Sequence, residues 1–364
     1  MLIILVLLTL IGVVYAYVQL PKFGKTPSGE RFERAKKSPN FRDGKFQNLS
    51  HTPDLTEGVG YFEVIRKFLF AEKERTKPTS PFPTVKTDLH TLHQDENVLV
   101  WFGHSSYFMQ IDGKRMLVDP VLSGAASPFR FTTPSFKGTD VYTAADIPEI
   151  DFLFISHDHW DHLDHQTILL LKPKIGQVIC GLGTGAHCER WGYDASKIIE
   201  KDWNETIPLG EGFVVHTTSA RHFSGRSFVR NKALWTSFVL QTPSKRIFMG
   251  GDSGYGTHFA DIGKAHGPFD LAILECGQYD KNWKYIHMMP EEVPQAAQDL
   301  RAKRLLPVHW AKFEIANHPW DDPIIRVAAA SKSLGIPFLH PMIGEKSDLD
   351  SETQVFSEWW KGVE

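Results

Sequence analysis

Positions 2–20 are almost wholly apolar and carry no charge. At about 1.5 Å per residue, such a run suits a helix crossing a bilayer core of roughly 30 Å. A membrane anchor is therefore expected over 1–20. Basic residues follow it (Lys22, Lys25, Arg31, Arg34, Lys36 and Lys37), so the positive-inside preference places the main domain in the cytoplasm. The competing reading is a signal peptide cleaved near Val14-Tyr15-Ala16, with export. It lacks the Lys or Arg that normally precedes the apolar stretch. Positions 21–95 are rich in Pro, Gly and charge and read as an extended arm. One amphipathic helix is expected near 58–73, with Phe62, Ile65, Phe68 and Leu69 on one side.

From 96 to about 345 the pattern changes to alternating strands and helices, an α/β domain. Short apolar runs predict strands at 97–102, 107–111, 115–119, 152–155, 177–181, 203–208, 213–219, 236–241, 246–249, 269–274, 305–308 and 336–339. Asp112-Gly113 marks a hairpin between two of them. Helical spacing predicts helices at 164–171, 183–191, 290–301 and 322–334. Positions 120–146 show no regular pattern and read as a loop over a site or along the surface. Two hairpin-rich halves, about 97–220 and 235–340, resemble each other in layout. Positions 346–364 are expected to form a C-terminal tail.

Polar singletons recur just past predicted strand ends: His104, a cluster at 157–162, His222, Asp252 and His309. In open α/β architectures, loops at one end of the strands converge on ligands. The densest stretch is Ser156-His157-Asp158-His159-Trp160-Asp161-His162-Leu163-Asp164. Imidazoles beside carboxylates suit zinc or a similar divalent ion, and this spacing offers ligands for two. The plainer alternative is a polar loop with Asp158 or Asp161 capping a helix. Histidine is abundant, at 17 residues, and clustered, which favours metal chemistry. The formal net charge of −3 and the lack of a basic stripe argue against a nucleic-acid partner. Cys180, Cys188 and Cys276 have no CxxC spacing and read as free thiols in a reducing compartment.

The His-x-His-x-Asp-His string at 157–162, followed in order by His222, Asp252 and His309, resembles the metallo-β-lactamase superfamily. The resemblance implies a four-layer αββα sandwich over about 97–345 and two divalent ions, most often zinc. It assigns His157, His159 and His222 to one ion, and Asp161, His162 and His309 to the other. Asp252 would bridge them, while His287 and His318 rival His309. Asp158 and Asp164 would orient imidazoles from behind.

Further strings narrow the resemblance: Trp101-Phe102-Gly103-His104-Ser105-Ser106, Arg221-His222-Phe223-Ser224-Gly225-Arg226, Gly251-Asp252-Ser253-Gly254-Tyr255, and His287-Met288-Met289-Pro290-Glu291-Glu292. Together they look like the N-acyl-phosphatidylethanolamine-hydrolysing phospholipase D family. The chain departs from that pattern at Glu275-Cys276-Gly277-Gln278-Tyr279, where a less charged stretch is expected. The family implies hydrolysis of a phosphodiester in a membrane phospholipid by a metal-bridging hydroxide, giving an N-acylethanolamine and phosphatidic acid. Asp161 would orient the nucleophile, and His287 would bind phosphate or protonate the leaving oxygen. His104 would stand behind the metals or touch substrate. The expected partners are phospholipid and membrane, and a dimer is compatible with the sequence. Two other functions fit less of it: a lactonase or sugar-phosphate hydrolase of the ascorbate-6-phosphate lactonase type, and a non-catalytic, membrane-tethered metal- or lipid-binding module.

Overall fold

A computed structural model describes residues 1–70 and 73–364, apart from the side chains at 68 and 69. The apolar N-terminus forms α1 (Leu2–Val18), with every side chain exposed as far as residue 16. The expected span is not supported. Its 17 residues reach about 26 Å at 1.5 Å per residue, short of a hydrocarbon core of roughly 30 Å. Among the described residues, no helix is long and apolar enough to cross a membrane.

The arm continues through α2 (Glu30–Lys37), whose first turn is acidic and whose last turn is basic, matching its dipole. A small hairpin, β1 (Phe41–Arg42) and β2 (Lys45–Phe46), turns at Asp43-Gly44, where both residues have positive φ. It buries Phe46 completely against Trp203, Leu234 and Trp235, so the arm is packed down. The expected amphipathic helix is α3 (Tyr61–Phe70). Phe68 and Leu69 of its expected apolar face lie outside the described side chains.

Two mixed sheets carry the rest. The first contains β3 (Val98–Trp101), β4 (Tyr107–Ile111), β5 (Lys114–Val118) and β6 (Ile150–Ile155), then β7 (Ile175–Gly181) and β8 (Ile198–Lys201). Helices α4 (His165–Leu171) and α5 (Gly185–Arg190) lie between its last three strands. The second contains β9 (Thr206–Gly210), β10 (Phe213–Thr218), β11 (Ser237–Gln241) and β12 (Arg246–Met249). Helix α6 (His258–His266) leads to β13 (Leu271–Glu275), α7 (Glu292–Asp299), β14 (Leu305–Val308) and α8 (Asp322–Leu334).

The second sheet runs β14-β13-β12-β11-β10-β9. The first runs from β3 to β8 in chain order, with β15 (Lys346–Asp348) added antiparallel beside β3. The stretch expected to be a tail thus supplies an edge strand, and beyond it Trp359 and Trp360 are buried. The halves divide between β8 and β9, not at 220–235, because β10 takes its ladder from β11. The strand expected at 336–339 is reduced to one bridge, Phe338 to Leu305.

Side-chain alternation separates the layers. Leu99 and Trp101 of β3 enter a core shared with the second sheet and with α6, α7 and α8. Val98 and Val100 enter another core with Ile168 and Leu171 of α4 and Cys188 of α5. The sheets therefore stack on each other with helices on both outer faces. Cys180, Cys188 and Cys276 are buried free thiols.

Candidate metal centre

Strand ends from both sheets converge at one edge. The loop after β6 brings His157, His159, Asp161 and His162, and the segment after β10 brings His222. Asp252 follows β12, and His309 follows β14. The centre is organised by Asp252, whose side chain is 2% exposed. Its Oδ2 lies 3.1 Å from His309 Nε2, 3.2 Å from His162 Nε2, 3.7 Å from His222 Nε2 and 3.8 Å from His157 Nε2. Asp161 Oδ2 faces His104 Nε2 at 2.9 Å, His309 Nε2 at 3.3 Å and His162 Nε2 at 3.5 Å. His159 Nδ1 lies 2.9 Å from His157 Nε2 and 3.2 Å from His222 Nε2.

Donor atoms of His157, His159 and His222 form one group within 4.8 Å of one another, and those of His104, Asp161, His162 and His309 form a second. Asp252 groups with His157 and His162 and also with His222 and His287, so it spans the two clusters. The expected division into two ligand sets is thus present as geometry, and His104 stands inside the second set. His318 stands apart: its Nε2 accepts the Gln278 amide, and its ring stacks on Tyr279.

The donor set fits divalent cations. His162 Nε2, Asp252 Oδ1 and His104 Nδ1 are buried without a hydrogen-bond partner. Leaving buried polar atoms unpaired is costly, and a cation is the species that His162 Nε2 and the Asp252 carboxylate lack at the centre, whereas His104 meets the centre through Nε2 rather than its unpaired Nδ1. Burial pushes His157 and His222 well below the ordinary histidine value, and neighbouring imidazoles add to the effect. Burial also brings His159 down to about 4 and, aided by His309, His104 down to about 3. Neutral imidazoles of this kind are the form that ligates metal. Against the opposing effect of burial, His162 and His309 are held above their usual value by the Asp252 carboxylate. Neighbouring imidazoles hold Asp161 and Asp252 well below theirs.

The supporting residues differ from expectation. Asp158 does not face the ligand imidazoles. Alternation along an extended stretch turns it away from positions 157 and 159. It holds His187 Nε2 at 3.2 Å and accepts from the Gly225 amide at 2.7 Å. Asp164 caps α4, accepting from the Gln166 and Thr167 amides, and also receives the Ser123 amide. The orienting carboxylate is Asp119, just past β5. Its Oδ2 lies 2.8 Å from His162 Nδ1, and it accepts from the Ser156 amide and hydroxyl at 2.8 and 2.6 Å. Ser156 Oγ in turn lies 3.0 Å from His157 Nδ1. Asp119 carried the same signal as the other site residues, a lone polar side chain after an apolar strand.

Backbone and arm complete the frame. His222 Nδ1 donates to the Ile286 carbonyl at 2.8 Å, turning Nε2 inward. Asn48 of the arm brackets His222, accepting from its amide at 3.1 Å and donating to its carbonyl at 2.8 Å. A pocket of about 290 Å³ opens over the centre. Its lining includes the polar Asp54, Tyr61 and Arg230 and the apolar Leu55, Phe223, Trp283, Ile286 and Ile315. His287 lines the pocket and directs Nδ1 to Glu275 at 3.1 Å.

Residues 114–310 match the family described as the beta-lactamase superfamily domain. The chain is 37% identical over 331 residues to an uncharacterised protein of Mycobacterium tuberculosis, covering 90% of this chain and 88% of that one. It is 28% identical over 283 residues to N-acyl-phosphatidylethanolamine-hydrolyzing phospholipase D 1 of Caenorhabditis elegans, covering 74% of this chain and 79% of that one. Among solved structures it is similar to Igni18, a metallo hydrolase from Ignicoccus hospitalis. That likeness has a TM-score of 0.54 at 19% identity, covers 69% of this chain and 97% of that one, and speaks for the fold.

Proposed function

The chain belongs to the beta-lactamase superfamily, and from that membership and the geometry of its pocket we propose that it hydrolyses a phosphodiester in a membrane phospholipid. N-acyl-phosphatidylethanolamine is the proposed substrate, giving an N-acylethanolamine and phosphatidic acid. The observation that carries this reading is the mixed lining of the pocket. Carboxylates and imidazoles of the centre line it together with apolar Leu55, Trp283, Ile286 and Ile315. A phospholipid combines the same two chemistries. The similarity to a relative named for this substrate supports the choice.

His157, His159 and His222 would hold one divalent ion, and Asp161, His162 and His309 another, with Asp252 shared between them. Zinc is the expected metal. When bound, such ions supply Lewis acidity that activates water near neutral pH and offsets charge on a phosphoryl group. The chain's own residues do the rest. Asp161, fixed by His104, accepts a hydrogen bond from the attacking water and orients it. His287, with Nδ1 engaged by Glu275, turns Nε2 to the pocket, where it would take up a proton and, as imidazolium, donate to the phosphoryl or leaving oxygen.

A lipid surface as partner is supported by the exposed apolar length of α1. Near its end, Tyr17 stacks on Phe129 at 4.9 Å, next to the exposed Phe131. Side chains of this kind favour shallow insertion into one face of a bilayer.

The test is to incubate zinc-loaded protein with N-acyl-phosphatidylethanolamine, phosphatidylcholine and a set of lactones. Release of N-acylethanolamine that disappears in Asp252→Asn supports the proposal. Turnover of lactones alone overturns it, and zinc binding without turnover of any ester points to a binding module.

A further inference from the structure

Glu275 ends β13 with its side chain wholly buried, in the stretch where the sequence departs from the phospholipase D pattern. Its two oxygens are fully used. Oε1 accepts from the amides of Ser253 and Met288, each at 3.2 Å. Oε2 lies 3.1 Å from His287 Nδ1 and 3.6 Å from His309 Nδ1. Those two amides belong to the residues immediately after Asp252 and His287. Among the described residues its ion-pair contacts are these two histidines, and no Lys or Arg reaches it. A buried carboxylate without a cationic side chain must be stabilised by donors around it.

The geometry fixes the hydrogen-bonding sense of both rings, through Glu275 for His287 and through the Gly277 carbonyl, 3.3 Å from Nδ1, for His309, to which Glu275 stands too far for a hydrogen bond. An imidazole whose Nδ1–H faces a carboxylate or carbonyl oxygen presents Nε2 as its free lone pair. His309 Nε2 then faces Asp161 and Asp252, while His287 keeps Nε2 for the pocket it lines. We propose that Glu275 is a positioning residue that sets the tautomer and orientation of His287 by hydrogen bonding and lies as a buried charge behind His309. It thereby ties a residue that lines the pocket to one that faces the metal centre. The extra buried negative charge behind the centre also strengthens its hold on divalent cations. This inference rests on the metal-centre reading of the pocket and on no particular substrate.

Two variants test it. Glu275→Leu removes both acceptors, whereas Glu275→Gln keeps one and removes the charge. The readouts are zinc stoichiometry, the rate of zinc release to a chelator, and imidazole 15N–1H correlation spectra of zinc-free and zinc-loaded protein. Glu275→Leu is expected to release zinc about 10–100-fold faster and to lose the Nδ1–H signature at His287, while His309 keeps it through the Gly277 carbonyl. Glu275→Gln is expected to keep that signature at His287 while releasing zinc at least about threefold faster. Wild-type release rates in Glu275→Gln overturn the proposal even if the leucine variant does not fold. Loss of one whole equivalent of zinc from Glu275→Gln also overturns it, since Glu275 would then be a ligand itself. Lipid turnover enters none of these readouts, so failure of the substrate assay is a separate result.

Discussion

His104 and Asp161 meet at 2.9 Å, Nε2 against Oδ2, across 57 positions of sequence. The contact depends on an unusual backbone. His104 has φ of +53° and His309 +69°, and the two turns are laced together by hydrogen bonds from His104 N to Trp310 O and from His309 N to His104 O, each 2.9 Å. The turn after β3 is thereby locked to the turn after β14. Replacing His104 with Asn, which tolerates positive φ, keeps this lacing and removes the hold on Asp161. His104→Asn is expected to lower hydrolytic activity by about 10–100-fold with little change in melting temperature. Steady-state kinetics and a thermal melt on the same preparation check both halves of that statement.

Metal removal is expected to destabilise the fold. Donors from both sheets converge on the centre, so a bound cation links the sheets and stabilises only the native state. Zinc at about 100 times its dissociation constant would contribute about 2.7 kcal/mol. Chelation should therefore lower the melting temperature by several degrees, and added zinc should restore it. In Asp252→Asn the response should shrink sharply, because the carboxylate shared by both donor groups is gone. Differential scanning fluorimetry with and without chelator reads this directly.

The arm holds the site as well as covering it. Asn48 accepts from His222 N and Trp235 Nε1 and donates to His222 O. Asn48→Leu leaves the His222 amide and carbonyl without partners, while Trp235 Nε1 keeps the Ala220 carbonyl at 3.0 Å, and is expected to cost about 2–3 kcal/mol. It should also speed zinc loss, since His222 would no longer be braced. Urea unfolding gives the first effect and a chelator competition the second.

Arg31 of α2 pairs with Glu200 of β8, whose side chain is 1% exposed and also accepts from the amides of Gly183 and Gly185. Arg31→Met leaves the buried Glu200 carboxylate only the more distant Arg34 guanidinium, 3.8 Å away, and is expected to destabilise by about 3 kcal/mol. Arg31→Met combined with Glu200→Gln should recover much of that loss, because no unpaired charge remains. Equilibrium unfolding of the single and double variants decides between this and a merely superficial contact.

Trp359 stacks on Trp310 at 5.3 Å, and Trp310 follows His309 directly. Trp359→Ala opens a large void in the core and is expected to cost about 3–5 kcal/mol. Because the void lies beside the His309 turn, zinc affinity should fall with stability. A surface substitution such as Val355→Ala, at an exposed position nearby in sequence, should change neither. Melting curves and zinc titrations of the two variants provide the comparison.

The chain alone determined much of this. Short, nearly continuous apolar runs ending in a single polar residue marked most strands, because a strand covered on both faces must be apolar until it leaves the core. The density of His and Asp at 157–162 announced a metal centre, since few other structures call for that composition. What it did not determine depends on neighbours distant in sequence. Asp119 and Glu275 are ordinary strand-end carboxylates until the fold places imidazole Nδ1 atoms against them. Asp158 and Asp164 stood in the motif yet turned to His187 and to the start of α4, because local backbone direction decided where each side chain pointed. Likewise, the polar run at 346–348 became a strand only because β3 offered it an open edge. Residue type and spacing declare what chemistry is available. Which carboxylate meets which imidazole is set by tertiary contacts, between neighbouring loops of one sheet for Asp119 with His162 and Glu275 with His287, and across the stacked sheets for Asp252 with His162 and Asp161 with His309.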